Sequence, residues 1–203
     1  MWVRFLHAGP NNIMIPIKLL STIQKDRLKQ HLFSMTDEDV RMRFGMAMNH
    51  DAISAYLDKS FDQYGRWNMW FIVEDGDKVI GSVHVAIDTS GEKMIAELGF
   101  TVAKEYRNKG VGNELFYRGS TWARMVGARV LCTQCLSENK VMQHIARKNG
   151  MTVVTEYGES EASILMDKPQ VAAAYEDFIM GSMSFIDNSI RKQNWFMKAL
   201  LEK

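Results

Sequence analysis

The sequence lacks an excess of charge of one sign and any long apolar run. Its 203 residues carry 25 Lys and Arg against 24 Asp and Glu, a formal net charge of +1. A nucleic-acid-binding protein more often has a basic excess, so we expect no nucleic-acid partner. No apolar run approaches the ~20 residues of a membrane span, and residues 1–12 are too short and mixed for a secretory signal. We therefore expect no membrane partner.

Cysteine is also scarce, since Cys132 and Cys135 are the two that the chain contains. Their C-x-x-C spacing serves redox chemistry or half of a zinc site in other proteins. They lie in ARVLCTQCL, which has the composition of a strand, and residues three apart on a strand point to opposite faces. Neither a second such pair nor histidines at ligand spacing accompany them. We expect ordinary strand thiols, no metal, and a protein of the reducing cytoplasm.

Hydrophobic residues make up 46% of the chain, enough for one substantial core. Residues 12–20 have the pattern of a first strand. Three helical segments are predicted after it, with Thr36 capping the second and Asp51 the third. Alternation with a period of two then predicts a hairpin that turns at Asp75-Gly76, followed by the strand MIAELGFTV.

The second half of the chain alternates between helices and strands. A helix is predicted from about Val111 to Gly127, with Gly119 as a point of close packing on its apolar face. The strand ARVLCTQCL, a helix closed by Gly150 and a hairpin of two strands follow. The residues predict one mixed α/β domain over residues 1–168.

The segment EYRNKGVGNEL, residues 105–115, has a bare backbone at the junction of a strand and a helix. A helix N-terminus carries unpaired N–H groups and a partial positive charge, and glycines let a phosphate approach the backbone. Arg107 and Lys109 add positive charge. The residues predict a phosphate site, with Gly110 and Gly112 as plain turn residues the alternative. Neither the dinucleotide fingerprint nor the G-K-[ST] phosphate loop fits this segment.

The motif R-x-x-G-x-G at residues 107–112 resembles the acetyl-CoA motif of the GNAT N-acetyltransferases. SENKVMQHIARKNGM resembles the second motif of that family, and the predicted element order over residues 12–168 is similar to the family's order. FSMTDEDVRMRF and AELGFTVAKEYRNKGVG resemble the GNAT domain of bacterial protein lysine acetyltransferases. The resemblance implies a mixed, mostly antiparallel twisted sheet flanked by helices, and an enzyme that transfers acetyl from acetyl-CoA to an amine.

The resemblance also implies which residues bind acetyl-CoA. Those whose main chain would surround the pyrophosphate are Asn108, Lys109, Gly110, Val111, Gly112 and Asn113. The guanidinium of Arg107 would brace the loop and contact a phosphate. Those whose main chain would face the pantetheine arm are Phe100, Thr101 and Val102. Asn139 would contact the same arm, although capping of the following helix is an equal alternative.

Catalysis requires a base, because only roughly 1 in 2,500 lysine-like amines is neutral at pH 7. Glu97 is a lone acid in an apolar strand and matches the glutamate of the AE pair in the lysine acetyltransferases, so we expect it to be the general base. A solvent-facing strand acid is the alternative, and Glu105 is a weaker candidate. The tyrosine that many family members use as general acid corresponds to Ala146. His84 is expected to be a satisfied surface histidine rather than an acceptor contact.

Two questions remain open at this stage. The acceptor is a protein lysine, an N-terminus, a polyamine or another small amine. The missing tyrosine also leaves a non-catalytic acyl-CoA-binding sensor or assembly module as a second function, although such a module would not require Glu97.

Residues 169–203 have apolar side chains at three- and four-residue spacing, which predicts a C-terminal helical extension. Because such a stripe depends on packing for its stability, we expect it to form an interface in a homodimer. Folding back onto its own domain, or over the acceptor cleft, is the alternative.

Overall fold

The computed structural model describes residues 16–21, 24–62 and 67–167. Within these ranges seven strands form one sheet in the order β1-β2-β3-β4-β5-β7-β6. The strands are β1 Ile17–Leu19, β2 Asn68–Asp75, β3 Lys78–Asp88, β4 Ile95–Val102, β5 Val130–Leu136, β6 Thr152–Glu156 and β7 Glu159–Leu165. The helices are α1 Lys25–Phe33, α2 Asp37–Phe44, α3 His50–Asp62, α4 Val111–Met125 and α5 Lys140–Lys148.

Neighbouring strands are antiparallel except for β4 and β5, which run parallel. The α/β class, the mixed and mostly antiparallel sheet and the order of elements are confirmed. The first predicted strand is represented by the short β1, and residues 12–15 lie outside the described residues. The predicted extension, residues 169–203, and the last residue of the predicted domain, Lys168, also lie outside them. Among the described residues, no helix is long and apolar enough to cross a membrane.

Helices α4 and α5 cover one face of the sheet. Leu115 and Trp122 of α4 pack there against Val83, Val85 and the neighbouring core. Gly119 permits a close approach, because a Cβ at this position would lie 3.1 Å from Leu98 Cδ2. The predicted close packing point is therefore confirmed.

Helices α1 to α3 cover the other face over β1 to β4. Leu28 and Leu32 of α1 pack with Leu57 of α3 against Trp70 and Ile72 of β2. The indole N–H of Trp70 donates to Ser60 Oγ at 2.9 Å, which satisfies a buried donor. On this side the outer face of β5, β7 and β6 is exposed, and a cleft opens between that face and α2.

Most of the local signals in the sequence act as expected. Thr36 Oγ1 accepts from the amide of Asp39 at the start of α2, and Gly76, in the left-handed region with φ 59°, turns the β2–β3 hairpin. The predicted cap of α3 is wrong. Asn49 Oδ1 accepts from the amide of Ala52, whereas Asp51 lies inside the first turn, where its charge still favours the helix N-terminus.

Cys132 and Cys135 both lie on β5 as free thiols, as predicted. Burial raises the pKa of the Cys132 thiol to about 12, and the nearby carboxylates of Glu97 and Glu161 add to this shift. A thiol held in the protonated form is a poor nucleophile and a poor metal ligand. Among the described residues, no group of three or more His, Cys, Asp or Glu side chains is arranged to hold a metal ion.

Candidate active site

The parallel strands β4 and β5 separate part-way along their length. Their ladder runs from the Ile95–Val130 pair to the Glu97–Cys132 pair and then ends. Thr133 Oγ1 donates to the carbonyl oxygen of Leu98 at 2.8 Å, so the main-chain groups of Leu98 point towards β5. Main-chain polar groups alternate in direction along a strand. Those of Phe100 and Val102 therefore face the gap between the strands, and those of Thr101 face β3.

The predicted loop follows directly after β4 and leads into α4. Arg107 Nε donates to the carbonyl oxygen of Val102 at 3.1 Å, and its Nη2 lies 2.8 Å from Asp39 Oδ1 of α2. Arg107 is thus a brace between the end of β4, the loop and α2. The predicted contact of Arg107 with a phosphate stays a prediction.

At one position of the loop, Gly110, the backbone has the conformation that the glycine pattern predicts. Gly110 takes φ 86° immediately before α4, in the left-handed region that strains other residues. Within the described residues, no side chain caps α4. The positive end of a 15-residue helix therefore points into the loop. Lys109 Nζ lies over the Tyr106 ring, 5.2 Å from its centroid, and adds charge nearby.

Gly112 has a different role from Gly110. A Cβ at Gly112 would lie 3.0 Å from Ile145 Cδ1 of α5, so this glycine lets α4 and α5 approach each other beside the loop. Asn139 Oδ1 accepts from the amide of Met142 at 3.1 Å and caps α5. The capping alternative for Asn139 is therefore confirmed, and its contact with a cofactor stays a prediction. Ala146 of α5 is buried in the core and presents no polar group.

A cleft of about 1600 Å³ runs along these elements. Its walls include the loop, the splayed ends of β4 and β5, the N-terminal part of α5 and the C-terminal part of α2. Glu97 lies on this cleft with an exposed side chain. It is on the same face of β4 as Gly99 and Thr101, the face towards α1 to α3. The alternative, a strand acid that faces solvent, is correct in part: the Glu97 side chain is exposed, but to the solvent inside the cleft.

A chain of polar side chains forms another wall of the cleft, to which Arg43, Tyr56 and His84 contribute. Arg43 Nη2 donates to Tyr56 Oη at 3.1 Å, and Tyr56 Oη lies 2.7 Å from His84 Nδ1. His84 Nε2 lies 2.9 Å from Asn68 Oδ1, and the imidazole stacks on Trp70 with ring centroids 4.4 Å apart.

The electrostatics of this wall keep His84 neutral. Burial, with a smaller contribution from the Arg43 charge, lowers the pKa of His84 to about 3. A neutral imidazole has one donor and one acceptor. Nε2–H therefore donates to Asn68, and Nδ1 accepts from the Tyr56 hydroxyl. The prediction of a surface position for His84 is wrong, because Tyr56, Trp70 and Asn68 enclose the ring; the prediction that its ring atoms are satisfied is confirmed.

A second buried network holds the end of β4. His31 Nε2 of α1 lies 2.8 Å from Thr101 Oγ1, which lies 2.7 Å from Ser82 Oγ of β3. Burial lowers the pKa of His31 to about 4, although a hydrogen bond with the Val79 main chain opposes the shift. The Thr101 side chain is thus hydrogen-bonded inside the core. It holds in place the end of β4, where the neighbouring Phe100 and Val102 face the gap.

A comparison with protein families identifies the family to which the chain belongs. The profile of the acetyltransferase (GNAT) domain matches residues 19–152. The chain belongs to the GNAT acetyltransferase family. It is an acetyl-CoA-dependent N-acetyltransferase of that family. No curated protein sequence matches the chain at a significant level.

Solved structures share the fold of this GNAT domain at low sequence identity. The GNAT domain of S. lividans PAT is 17% identical with a TM-score of 0.61, over 74% of this chain and 89% of that one. RimL, a ribosomal L7/L12 alpha-N-protein acetyltransferase solved with coenzyme A, is 13% identical with a TM-score of 0.59, over 75% and 94%. The yncA protein of Salmonella typhimurium, solved with its cofactor acetyl-CoA, is 15% identical with a TM-score of 0.56, over 77% and 96%.

The residues of this GNAT domain fit acetyl-CoA at the predicted place. The gap beside Phe100 offers unpaired strand edges to an extended arm, and the uncapped start of α4 faces the loop where a pyrophosphate would lie. The cleft brings Glu97, the loop and Asn139 together. Glu105 belongs to the 3₁₀ turn Lys104–Tyr106 and does not line the cleft.

The sequence did not predict the wall of the cleft that Arg43, Tyr56 and His84 form. Arg43 was visible only as part of the quoted segment FSMTDEDVRMRF, and nothing in the pattern of α3 marks Tyr56. A partial signal existed for Arg43, because a charged residue three positions after the buried Val40 falls on the inner side of an amphipathic helix.

Proposed function

We propose that this protein transfers the acetyl group of acetyl-CoA directly to a primary amine, of a protein lysine or a small molecule, in the cleft beside the splayed strands. The single observation that carries the proposal is the end of the β4–β5 ladder at Glu97. The last residue of β4 that pairs with β5 is an acid that lines the cleft, and beyond it the main-chain groups of Phe100 and the N–H of Val102 face the gap. A base and a site for an extended thiol ester are thus adjacent.

Each part of the chain has a role in this proposal. The amides of the loop around Gly110 and the start of α4 hold the pyrophosphate, and Arg107 keeps the loop against β4 and α2. The main-chain groups of Phe100 and the N–H of Val102 bind the pantetheine arm, and Asn139 borders it from α5. Acetyl-CoA supplies an activated acetyl thioester, and the Phe100 N–H is a fixed donor on the strand edge that its carbonyl oxygen would approach.

Glu97 acts on the acceptor. Removing the proton from a lysine-like ammonium at pH 7 costs about 4–5 kcal/mol if nothing compensates for it. A carboxylate in the cleft stabilises the bound ammonium and accepts its proton, directly or through water. The amine then becomes the nucleophile. The side chain at position 146 offers no proton to the thiolate that leaves, and a thiol with a reference pKa of about 8.5 needs little help.

The alternative drawn from the sequence, a non-catalytic acyl-CoA-binding module, would use the same loop and the same gap, but it would have no use for Glu97. Membership of an acetyltransferase family argues against it. The acceptor is not fixed by the similar structures, since RimL is named for the alpha-amine of a ribosomal protein. One assay therefore tests both the transfer and the acceptor.

The assay measures release of the coenzyme A thiol with a mixed panel of peptides, polyamines and small amines. We expect Glu97→Gln to lower kcat at neutral pH by roughly 10²–10⁴-fold, with little change in acetyl-CoA affinity measured by calorimetry. Glu92→Gln is the matched control, because Glu92 is an exposed acid outside the cleft in the turn before β4.

Two results would contradict the proposal. An identical pH–rate profile in wild type and Glu97→Gln would remove the role of the base. Tight acetyl-CoA binding without transfer to any amine of the panel would favour the binding module instead.

A further inference from the structure

The guanidinium of Arg43 has no anionic partner in the described part of the chain. Nη2 donates to the neutral Tyr56 hydroxyl, and Nε is buried without a hydrogen-bond acceptor. The group lies against the rings of Phe44 and Tyr56, with its central carbon 4.8 Å from the Phe44 centroid. No described carboxylate forms an ion pair with it, although seven other pairs of side-chain charges do so. An unneutralised charge in a half-buried position is costly unless a ligand completes it.

The position of this charge is fixed by a glycine on β4. A Cβ at Gly99 would lie 2.2 Å from Arg43 Nη2 and 2.4 Å from Cζ. The guanidinium therefore rests directly on the main chain of Gly99, in a space that a side chain at this position would fill. Gly99 comes one residue before Phe100 and two residues after Glu97. Arg43 is thus beside the place where acyl group, amine and base would meet.

A cation at this place is unfavourable for an ordinary amine substrate. An incoming ammonium is repelled by the guanidinium, and its binding would leave that charge without a counterion. A carboxylate on the substrate removes both costs, because it neutralises the charge and accepts hydrogen bonds from the terminal N–H groups of Arg43, a residue that lines the cleft. Residues two apart on a strand are about 6.6 Å apart. One small substrate can therefore place an amine at Glu97 and an anion at Arg43.

We propose that Arg43 binds a carboxylate of one of the two reacting substrates. The carboxylate belongs either to the acceptor, which is then an amino acid rather than a plain amine, or to the acyl group, which is then a dicarboxylic acyl chain. The inference rests on the proposed acyl transfer, and it adds the chemical class of the substrate. Tyr56 positions the guanidinium through its hydroxyl, and neutral His84 holds that hydroxyl.

Paired substrates test the proposal and distinguish its two sources. The first arm compares glycine, β-alanine and γ-aminobutyrate with their amides as acceptors of acetyl from acetyl-CoA. The second arm compares succinyl-CoA with acetyl-CoA, with an uncharged amine as acceptor. We expect wild type to prefer the carboxylate member in one arm by roughly 10- to 100-fold in kcat/KM, the size of a charge-assisted hydrogen bond.

Three variants assign that preference to Arg43. Arg43→Gln removes the charge, and Gly99→Ala keeps it but displaces the guanidinium, since only the flexible end of Arg43 must move. In both, the preference should fall towards 1. Arg124→Gln is the matched control, because Arg124 is an exposed arginine of α4 outside the cleft, and it should keep the wild-type ratio. If Arg43→Gln does not fold, Gly99→Ala carries the test.

The result that overturns the inference is a wild-type enzyme without preference in either arm, or a preference that survives in Arg43→Gln and Gly99→Ala. Failure of the proposed function is distinguished by equilibrium binding. If wild type transfers no acyl group at all, calorimetry that compares N-acetyl-β-alanine with its amide, and succinyl-CoA with acetyl-CoA, decides the inference. Carboxylate-dependent binding that Arg43→Gln loses supports it, and equal binding within both pairs rejects it.

Discussion

Mild acid is expected to destabilise this protein through His31, an imidazole that is enclosed between α1 and the end of β4. Its partners are the Thr101 hydroxyl and the Val79 main chain. The hydrogen bond with Val79 favours the protonated ring, but neither partner carries a negative charge, and burial outweighs it. Because burial holds the pKa of His31 at about 4, well below the 6.5 of an unfolded chain, the unfolded state binds the proton first as the pH falls. The contribution is complete above pH 6.5 and is lost as the pH falls towards about 4.

The size of this loss follows from the difference in pKa between the two states. Between about pH 7.5 and pH 4.5, a folded pKa of about 4 removes about 2–3 kcal/mol from the free energy of unfolding. This is a large fraction of the 5–15 kcal/mol that is typical of a domain. His84, whose pKa is about 3, adds a loss of its own over the same range. Its effect cancels when two variants that both retain His84 are compared.

The assay is urea unfolding of wild type and His31→Gln, followed by circular dichroism at several pH values. Glutamine can still bond to Thr101 but does not titrate, so wild type should lose about 2–3 kcal/mol more than His31→Gln between these pH values. His144→Gln, an exposed imidazole of α5, is the control and should follow wild type. A wild-type protein and a His31→Gln variant with parallel stability curves from pH 7.5 to 4.5 would refute the reasoning.

Three further predictions concern the loop and the tail. Arg107→Ala should weaken acetyl-CoA binding in calorimetry by roughly 10- to 100-fold; a similar loss in Asp39→Asn would mean that the ion pair, rather than a phosphate contact, is responsible. Gly112→Asp should weaken binding more than Gly112→Ala, because both press on Ile145 but only the first places a carboxylate beside the pyrophosphate; equal affinities would contradict the loop assignment. Truncation after Lys168 should convert a dimer into monomer or aggregate while acetyl-CoA still binds; light scattering that finds the full chain monomeric at tens of micromolar would reject the dimer.

The parts of the fold that depend on local rules were predictable from the sequence. The β2–β3 hairpin follows from Asp75-Gly76, and the left-handed Gly110 before α4 follows from the glycine pattern of the loop. The cap of α3 was predicted two residues too late because Asn49, His50 and Asp51 offer competing polar side chains. Which of the three caps the helix depends on the direction from which the chain enters α3, and the tertiary structure sets that direction.

The wall formed by Arg43, Tyr56 and His84 depends on contacts between residues that are distant in the chain, and no local sequence pattern predicts such contacts. Arg43 and Gly99 are far apart in the chain. The space above Gly99 holds the guanidinium only because the fold places α2 over β4. His84 alternates with apolar residues, a pattern equally consistent with an exposed polar face. Its burial results from Tyr56 and Trp70, which two other elements contribute. The cofactor half of the site is compact in sequence, whereas the acceptor half is assembled from α2, α3, β2 and β3.

Helix α2 connects the two halves of the cleft. Asp39 holds Arg107 of the loop, the carbonyl oxygen of Met42 lies 3.4 Å from Asn139 Nδ2 at the start of α5, and Arg43 rests on Gly99. Positions 39, 42 and 43 are spaced by three and four residues and therefore share one side of the helix. One short helix thus contacts the proposed pyrophosphate loop, the helix beside the pantetheine arm and the proposed carboxylate site. We therefore expect a displacement of α2 to change the binding of both substrates together.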